Sequence, residues 1–116
     1  MWIVAKIDKK RINLFKEEIK NRCDKGFVFY QPSFQFEKVV KNKLEKNTKP
    51  LLEDYIFCYC KKFEDINFVN TLNYIKGLKY FLEGFKNHQQ EIIKFIENCK
   101  VNQNAQGFIS NSYFYN

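Results

Sequence analysis

The sequence predicts an α/β (α+β) fold, a split β-α-β sandwich in which a four-stranded antiparallel sheet is flanked by helices. Short β-branched and aromatic runs alternate with helical periodicities, in the order strand, helix, strand, strand, helix, strand, helix. A lysine-rich segment at about residues 34–50 is inserted between the second and third of these strands as a basic hairpin. The chain has 116 residues, of which 45% are hydrophobic, so there is room for one core.

The first elements lie in residues 1–32. The run WIVAKI at Trp2–Ile7 carries only one charge and predicts a central strand near the N-terminus. Spacings of three, four and four residues then separate the apolar positions of an amphipathic helix, which are Ile12, Phe15, Ile19 and Cys23. Residues 24–26 (DKG) end this helix. The run FVFY at 27–30 predicts a second strand, which stops at Pro32 because proline cannot donate to a ladder.

Residues 34–50 predict a basic hairpin that projects from the body. Val39 and Val40 lie on one arm, Leu44 lies on the other, and residues 41–43 (KNK) form the turn. The segment has few apolar positions, so a disordered loop is the alternative.

The second half of the chain repeats the pattern. Residues 54–60 (DYIFCYC) predict a strand with aromatic side chains on one face and Ile56, Cys58 and Cys60 on the other. Helical spacing follows at Ile66, Val69, Leu72 and Asn73. Residues 78–82 (LKYFL) alternate as a fourth strand, and a third helix begins after His88. We expect residues 1–100 to form the domain and residues 101–116, which have no periodicity, to be a linker or tail.

The net charge of +7 is unevenly distributed. Residues 1–50 contain thirteen Lys or Arg and six Asp or Glu, whereas residues 51–116 contain seven of each. A basic half beside a neutral half favours contact with a polyanion such as nucleic acid. The alternative is a set of lysines that are simply solvated on helix and hairpin surfaces.

The sequence contains no recognisable catalytic or metal-binding motif. Glycine-rich phosphate loops and nucleophile elbows are absent, and His88 is the only histidine. The spacing of the four cysteines is not that of a zinc site or a redox motif. We therefore expect a non-enzymatic binding protein without a cofactor or metal. With reduced cysteines, no signal peptide and no apolar run of membrane-spanning length, it would be a cytoplasmic monomer that does not contact membranes.

Several segments, taken in order, resemble the N-terminal (NGN) domain of NusG-type transcription factors. These are the opening WIVAKIDKKR, the strand entry at Gly26-Phe27, the basic hairpin, KPLLEDYIF at residues 49–57 and IKGLKYFL at residues 75–82. The resemblance covers residues 1 to about 100. It implies a ferredoxin-like sheet with an inserted hairpin, in a factor that binds RNA polymerase and modulates pausing or termination.

The resemblance also implies two sites. The RNA polymerase-binding residues, which would contact the clamp helices of the largest subunit, are Leu52, Tyr55 and Phe57. The residues that would lie near upstream or non-template DNA are Lys9, Lys10 and Arg11. Exposed aromatic side chains suit a protein-binding hot spot, and lysines suit phosphate contacts. The alternatives are that a helix covers the aromatic face and that the basic cluster is a solvated turn.

The chain departs from the family pattern in three places. Glu53 and Asp54 replace the Pro-Gly that usually precedes the Tyr55 position. Residues 68–70 (FVN) replace the His-Thr-Thr stretch of the RfaH-like branch, so recruitment to a specific DNA element is not expected. No C-terminal KOW domain is recognisable. The runner-up function is a stand-alone ferredoxin-like RNA-binding module that uses the basic half of the chain.

Overall fold

A computed structural model describes residues 1–23, 25–104 and 107–110. The strands are β1 (Trp2–Ile7), β2 (Val28–Tyr30), β3 (Ser33–Val40), β4 (Lys43–Pro50), β5 (Tyr55–Tyr59), β6 (Leu78–Phe81) and β7 (Ile109–Ser110). The helices are α1 (Ile12–Arg22), α2 (Ile66–Thr71) and α3 (Gln89–Val101). Among the described residues no helix has both the length and the apolar character needed to cross a membrane.

Four strands form one antiparallel sheet in the order β2-β5-β1-β6. Strand β1 is central, and its pairing with β5 runs from Trp2 opposite Tyr59 to Lys6 opposite Tyr55. The predicted central position of the first strand and its predicted pairing with residues 54–60 are therefore confirmed. The mixed α and β composition with a four-stranded antiparallel sheet is confirmed as well.

Helices lie on both faces of this sheet. On one face, Ile3 and Ile56 pack against Phe15 of α1 and Val69 of α2. On the other face, Val4 packs in a second cluster with side chains of α3. Because both faces of the central strand are covered, β1 is a nearly continuous apolar run rather than an alternating one. Cys58 and Cys60 are buried, as predicted for small core residues.

Gly77 fixes the loop before β6 against the start of α1. Its φ of +85° lies in the left-handed region, and a Cβ there would come within 2.6 Å of the Arg11 carbonyl oxygen. The Gly77 carbonyl accepts a hydrogen bond from the amide of Asp8 at 2.9 Å. No other residue fits this close approach without a backbone shift. The contact holds the 3-10 turn at Lys9–Arg11 in place at the end of β1.

The side chain of Gln89 fastens α3 to the sheet. Its Nε2 donates to the carbonyl oxygens of Trp2 at 2.6 Å and Phe85 at 2.8 Å, and its Oε1 accepts from the Trp2 amide at 2.9 Å. These three hydrogen bonds fix the first turn of α3 beside the start of β1. This contact was not predictable from the sequence, because Trp2 lies 87 residues from Gln89 and takes part only through its backbone groups.

The basic segment forms an ordered hairpin. Strands β3 and β4 pair along their whole length, from Ser33 opposite Pro50 to Val40 opposite Lys43. The two-residue turn has φ angles of 51° at Lys41 and 66° at Asn42. Positive φ at both positions is the geometry of a type I′ turn, which matches the twist of paired strands. In the structure, residues 33–50 thus have the paired geometry of the predicted hairpin.

The described part of residues 101–116 packs on the base of this hairpin. Strand β7 runs parallel to β3, with Ile109 opposite Phe34, and Ile109 is fully buried. Residues 101–104 and 107–110 thus contact the body, whereas the sequence predicted a linker or tail for residues 101–116. Residues 105, 106 and 111–116, and Asp24 at the expected helix end, lie outside the described residues.

Tyr30 joins strand β2 to the chain that follows α3. Its hydroxyl donates to Oε1 of Gln103 at 2.5 Å, and the Lys100 ammonium lies 5.2 Å from its ring centroid. Burial, together with the nearby Cys99 thiol, raises the pKa of Tyr30 from 10.0 to about 12. Folding therefore favours the protonated phenol.

This shift predicts a loss of stability at alkaline pH that depends on Tyr30. Between pH 10 and about 12 the unfolded chain loses the phenolic proton and the folded chain keeps it, so stability falls as pH rises. Tyr30→Phe should lower the Tm at pH 8, where a hydrogen bond is lost. Between pH 8 and pH 11, however, the Tm of the variant should decrease less than the Tm of the wild type, as measured by circular dichroism. An equal decrease in Tm in the variant and the wild type over this pH range would contradict the prediction.

Candidate functional site

An apolar groove lies between α3 and the face of the sheet that α3 only partly covers. Its volume is about 390 Å³. The residues that line it are Val4, Leu52, Tyr55, Phe57, Leu82, Glu91, Ile92 and Phe95. All three residues assigned to polymerase binding are in this set. A solvent-open apolar groove of this kind on a small domain is typical of a protein-binding surface.

The groove is assembled from three parts of the chain. Tyr55 and Phe57 are two residues apart on β5 and therefore share one face of the sheet. Leu52 comes from the turn before β5, in which its carbonyl accepts from the Tyr55 amide at 3.1 Å. Leu82 continues from β6 and donates its amide to the Val4 carbonyl at 2.9 Å. Helix α3 supplies the opposite wall.

Phe57 forms the floor of the groove and is not an exposed contact residue. Its side chain is only 4% exposed. Its ring centroid lies 5.7 Å from that of Phe95 on α3 and 6.4 Å from that of Tyr30 on β2. The prediction of an exposed patch is therefore wrong for Phe57, because α3 passes over it. Leu52 and Tyr55 are half-buried at the rim, where a partner can reach them.

A lysine framed by two tyrosines adjoins the groove. The Lys6 ammonium lies 5.5 Å from the Tyr55 ring centroid and 5.8 Å from that of Tyr80. The two tyrosine hydroxyls are 3.5 Å apart. This hydrogen bond raises the pKa of Tyr55 and lowers that of Tyr80. The rim thus offers a cation and two phenols beside an apolar surface.

Five residues of this surface were not predicted from the sequence: Lys6 and Tyr80 at the rim, and Leu82, Ile92 and Phe95 along the rest of the groove. A signal for Tyr80 and Leu82 was present, because alternation along residues 78–82 places them on one face of a strand. Nothing in the sequence indicates that this face and that of β5 lie on the same side of the sheet as α3.

The basic residues at the end of β1 form the exposed 3-10 turn Lys9–Arg11. The side chain of Asp8 begins this turn by accepting from the Lys10 amide at 3.1 Å. Nζ of Lys9 lies 3.4 Å from Oδ1 of Asp54. This ion pair offsets part of the cluster's charge, so Lys10 and Arg11 are its principal free cations. Asp54 precedes Tyr55, so the basic turn and the groove are neighbours.

The titratable groups of the described residues offer little chemistry. No three His, Cys, Asp or Glu residues in this part of the chain are grouped to hold a metal ion. The buried cysteines Cys58, Cys60 and Cys99 form no disulfide, and burial raises the pKa of the Cys58 thiol well above its usual value. A thiol held in its protonated form is a poor nucleophile.

A scan of the sequence against protein-family models gave no match, and neither did a search of curated proteins.

Proposed function

We propose that this chain is a non-enzymatic transcription elongation or antitermination factor of the NusG type, which acts in the cytoplasm on RNA polymerase. The groove docks on the clamp helices of the largest polymerase subunit. One observation carries the proposal. Leu52 and Tyr55, which the resemblance assigns to polymerase binding, meet at the rim of a single solvent-open apolar groove.

The groove suits an amphipathic helix. Recognition of this kind places the apolar side chains of a helix in a groove, at positions three and four residues apart. If Tyr55 and Leu82 together lose about 100 Å² to the partner, at about 25 cal/mol per Å² their burial contributes about 2.5 kcal/mol before the costs of association. That contribution is enough to matter at micromolar affinity.

The topology also supports the proposal. The sheet order β2-β5-β1-β6 places β5 between β1 and β2, and β1 between β5 and β6. Two β-α-β units are thus interleaved, as in a ferredoxin-like sheet. The hairpin of β3 and β4 is inserted between the two units, at the position where the resemblance to the NGN domain expects it.

The proposal is tested by capturing RNA polymerase on the immobilised chain. A coiled-coil fragment that carries only the clamp helices should compete with the whole enzyme for the chain. Failure of the fragment to compete, with the polymerase still captured, would mean that the chain contacts another part of the polymerase, and it would contradict docking on the clamp helices. Failure to capture polymerase at all would refute the proposal.

In this function the basic turn contacts DNA by charge alone. Reversing Lys10 and Arg11 to Glu should weaken binding to a DNA duplex several-fold at low salt. It should also reduce the slope of log K against log salt by about two, since each phosphate contact contributes about 0.9. Lys9 is left unchanged, because its ion pair with Asp54 would be lost. Fluorescence anisotropy across a salt series measures both quantities.

The matched control reverses two lysines of the neutral half, Lys79→Glu with Lys94→Glu, which changes the net charge equally. If the control weakens DNA binding as much as the reversal at Lys10 and Arg11 does, the effect is one of net charge and not of this turn. The Tm should change little in either variant, because exposed substitutions usually cost within about 0.5 kcal/mol.

One observation favours the second candidate, a stand-alone ferredoxin-like RNA-binding module. Tyr80 is 46% exposed and lies with Tyr55 around the Lys6 ammonium on the sheet face. Aromatic side chains beside a cation can stack single-stranded bases. In that case single-stranded RNA would bind the chain, and the clamp-helix fragment would not displace it at this face.

A further inference from the structure

The end of the β3–β4 hairpin exposes an aliphatic pair. Val39 is 67% and Leu44 71% exposed, and the two residues lie opposite each other one position from the last pair before the turn. Among the large apolar side chains that the structure describes, only Tyr74 and Val101 are more exposed. A cross-strand pair adds a little to the stability of the hairpin, but it leaves most of both side chains in water.

Lysines surround this pair on both strands. Residues 37–46 contain four lysines and two acids, Glu37 opposite Lys46 and Glu45 opposite Lys38, so the segment has a net charge of +2. All four lysines are exposed, and they are Lys38, Lys41, Lys43 and Lys46. They span four residue pairs of the ribbon, or about 13 Å at the rise of a strand. The tip therefore combines a small apolar surface with cations at several levels along the hairpin.

We propose that this hairpin tip enters a groove of duplex DNA and inserts Val39 and Leu44 at an unpaired or weakly stacked step. A two-stranded β-ribbon fits the major groove, which is about 12 Å wide. Aliphatic side chains act as wedges that part stacked bases. The four lysines lie where they meet phosphates on either side of the wedge. This site shares no residue with the apolar groove, and it needs no polymerase.

A membrane surface would also accept an apolar tip with lysines, but the tip suits it less well. Interfacial binding to a bilayer uses a broad apolar face and often aromatic anchors. Here the exposed apolar surface is two aliphatic side chains, and the tip between Lys38 and Lys46 has no aromatic residue. The lysines are also spread along the ribbon rather than gathered in one plane.

The test compares two DNA duplexes of about 20 base pairs, one fully paired and one with a two-nucleotide mismatch at its centre beside a 2-aminopurine. The full chain should bind the mismatched duplex several-fold more tightly by anisotropy, since mismatched bases are more easily unstacked. Binding should also increase 2-aminopurine fluorescence. Equal affinity for both duplexes, or no fluorescence change, would overturn the proposal.

The decisive variant is Val39→Thr with Leu44→Thr, which removes the wedge and keeps the charge. Threonine is β-branched and strand-forming, so the hairpin is retained. The preference for the mismatched duplex and the fluorescence change should both disappear, while the salt dependence stays as in the wild type. The matched control is Val28→Thr with Leu14→Thr, two residues that are each 46% exposed and lie outside the hairpin. It should behave as the wild type.

A second variant removes charge from the hairpin tip and keeps the apolar pair, so that the two contributions to binding can be separated. Lys41→Gln with Lys43→Gln should weaken binding to both duplexes, reduce the salt slope by about two and leave the preference intact. Retention of the preference in the threonine variant would overturn the wedge. Tip-dependent binding to phosphatidylserine vesicles, without a preference between the duplexes, would overturn it in favour of a membrane contact. Neither of these two results would bear on the proposed docking of the groove on RNA polymerase, because the hairpin tip shares no residue with the groove.

Discussion

Leu82→Asp should abolish binding of the chain to the polymerase clamp helices. Leu82 lies at the rim of the groove and is 37% exposed, so in the free protein the new carboxylate reaches water. In the complex the carboxylate would be buried without a partner. A penalty of at least about 3 kcal/mol is expected, which is more than a hundredfold in Kd. The measurement is competition between the variant and the labelled wild-type chain for the clamp-helix fragment.

The matched control is Leu14→Asp. Leu14 is 46% exposed on α1, which packs on the opposite face of the sheet, so the same change of charge leaves the groove intact. This variant should compete as the wild type does, and both variants should keep the wild-type circular dichroism spectrum. Wild-type binding by Leu82→Asp would refute docking through the groove, whatever polymerase contact the chain makes elsewhere.

The sheet was predictable because its signals are local. Each main strand is a short β-branched or aromatic run, and α1 has three buried or half-buried residues at helical spacing, which are Ile12, Phe15 and Ile19. Only a few antiparallel orders suit two helix-linked strand pairs, so the pairing of β1 with β5 followed from the element order. The hairpin turn at Lys41 and Asn42 was also a local signal.

The degree of exposure on the sheet was not predictable. Strand β5 is apolar on both faces, and its alternation cannot tell which residue a helix will cover. The course of α3 over Phe57 depends on hydrogen bonds from Gln89 to Trp2, at the other end of the chain. Burial of Ile109 against the hairpin likewise depends on a two-residue parallel pairing with no periodicity of its own. Both are non-local contacts between chain segments far apart in sequence.

Phe57→Ala should destabilise the domain strongly. The side chain is almost fully buried beneath α3, between Tyr30 and Phe95, and truncating it leaves a cavity in the cluster that joins α3 to the sheet. Replacing a buried phenylalanine by alanine costs about 3 to 5 kcal/mol. This is a large fraction of the stability of a domain of this size. The free energy of unfolding, measured by urea denaturation, gives the loss directly.

Tyr55→Ala should weaken binding to the clamp helices with little loss of stability. Tyr55 is half-buried at the rim and touches Lys6 and Tyr80, so its loss removes contacts without opening a core cavity. Its cost in unfolding free energy should therefore be well below that of Phe57→Ala. Binding to the clamp-helix fragment should still weaken about tenfold or more, because an aromatic side chain at an interface commonly contributes over 1.4 kcal/mol.

The two single variants separate the floor of the groove from its rim, which a double variant would not do. If Phe57→Ala loses no more stability than Tyr55→Ala, the side chain of Phe57 is not held under α3, which would contradict its burial at the floor of the groove. If Tyr55→Ala binds the fragment as tightly as the wild type, the rim is not the contact surface. Since Phe57 is only 4% exposed and does not reach a partner, its variant should lose polymerase binding only in proportion to the fraction of the chain that unfolds.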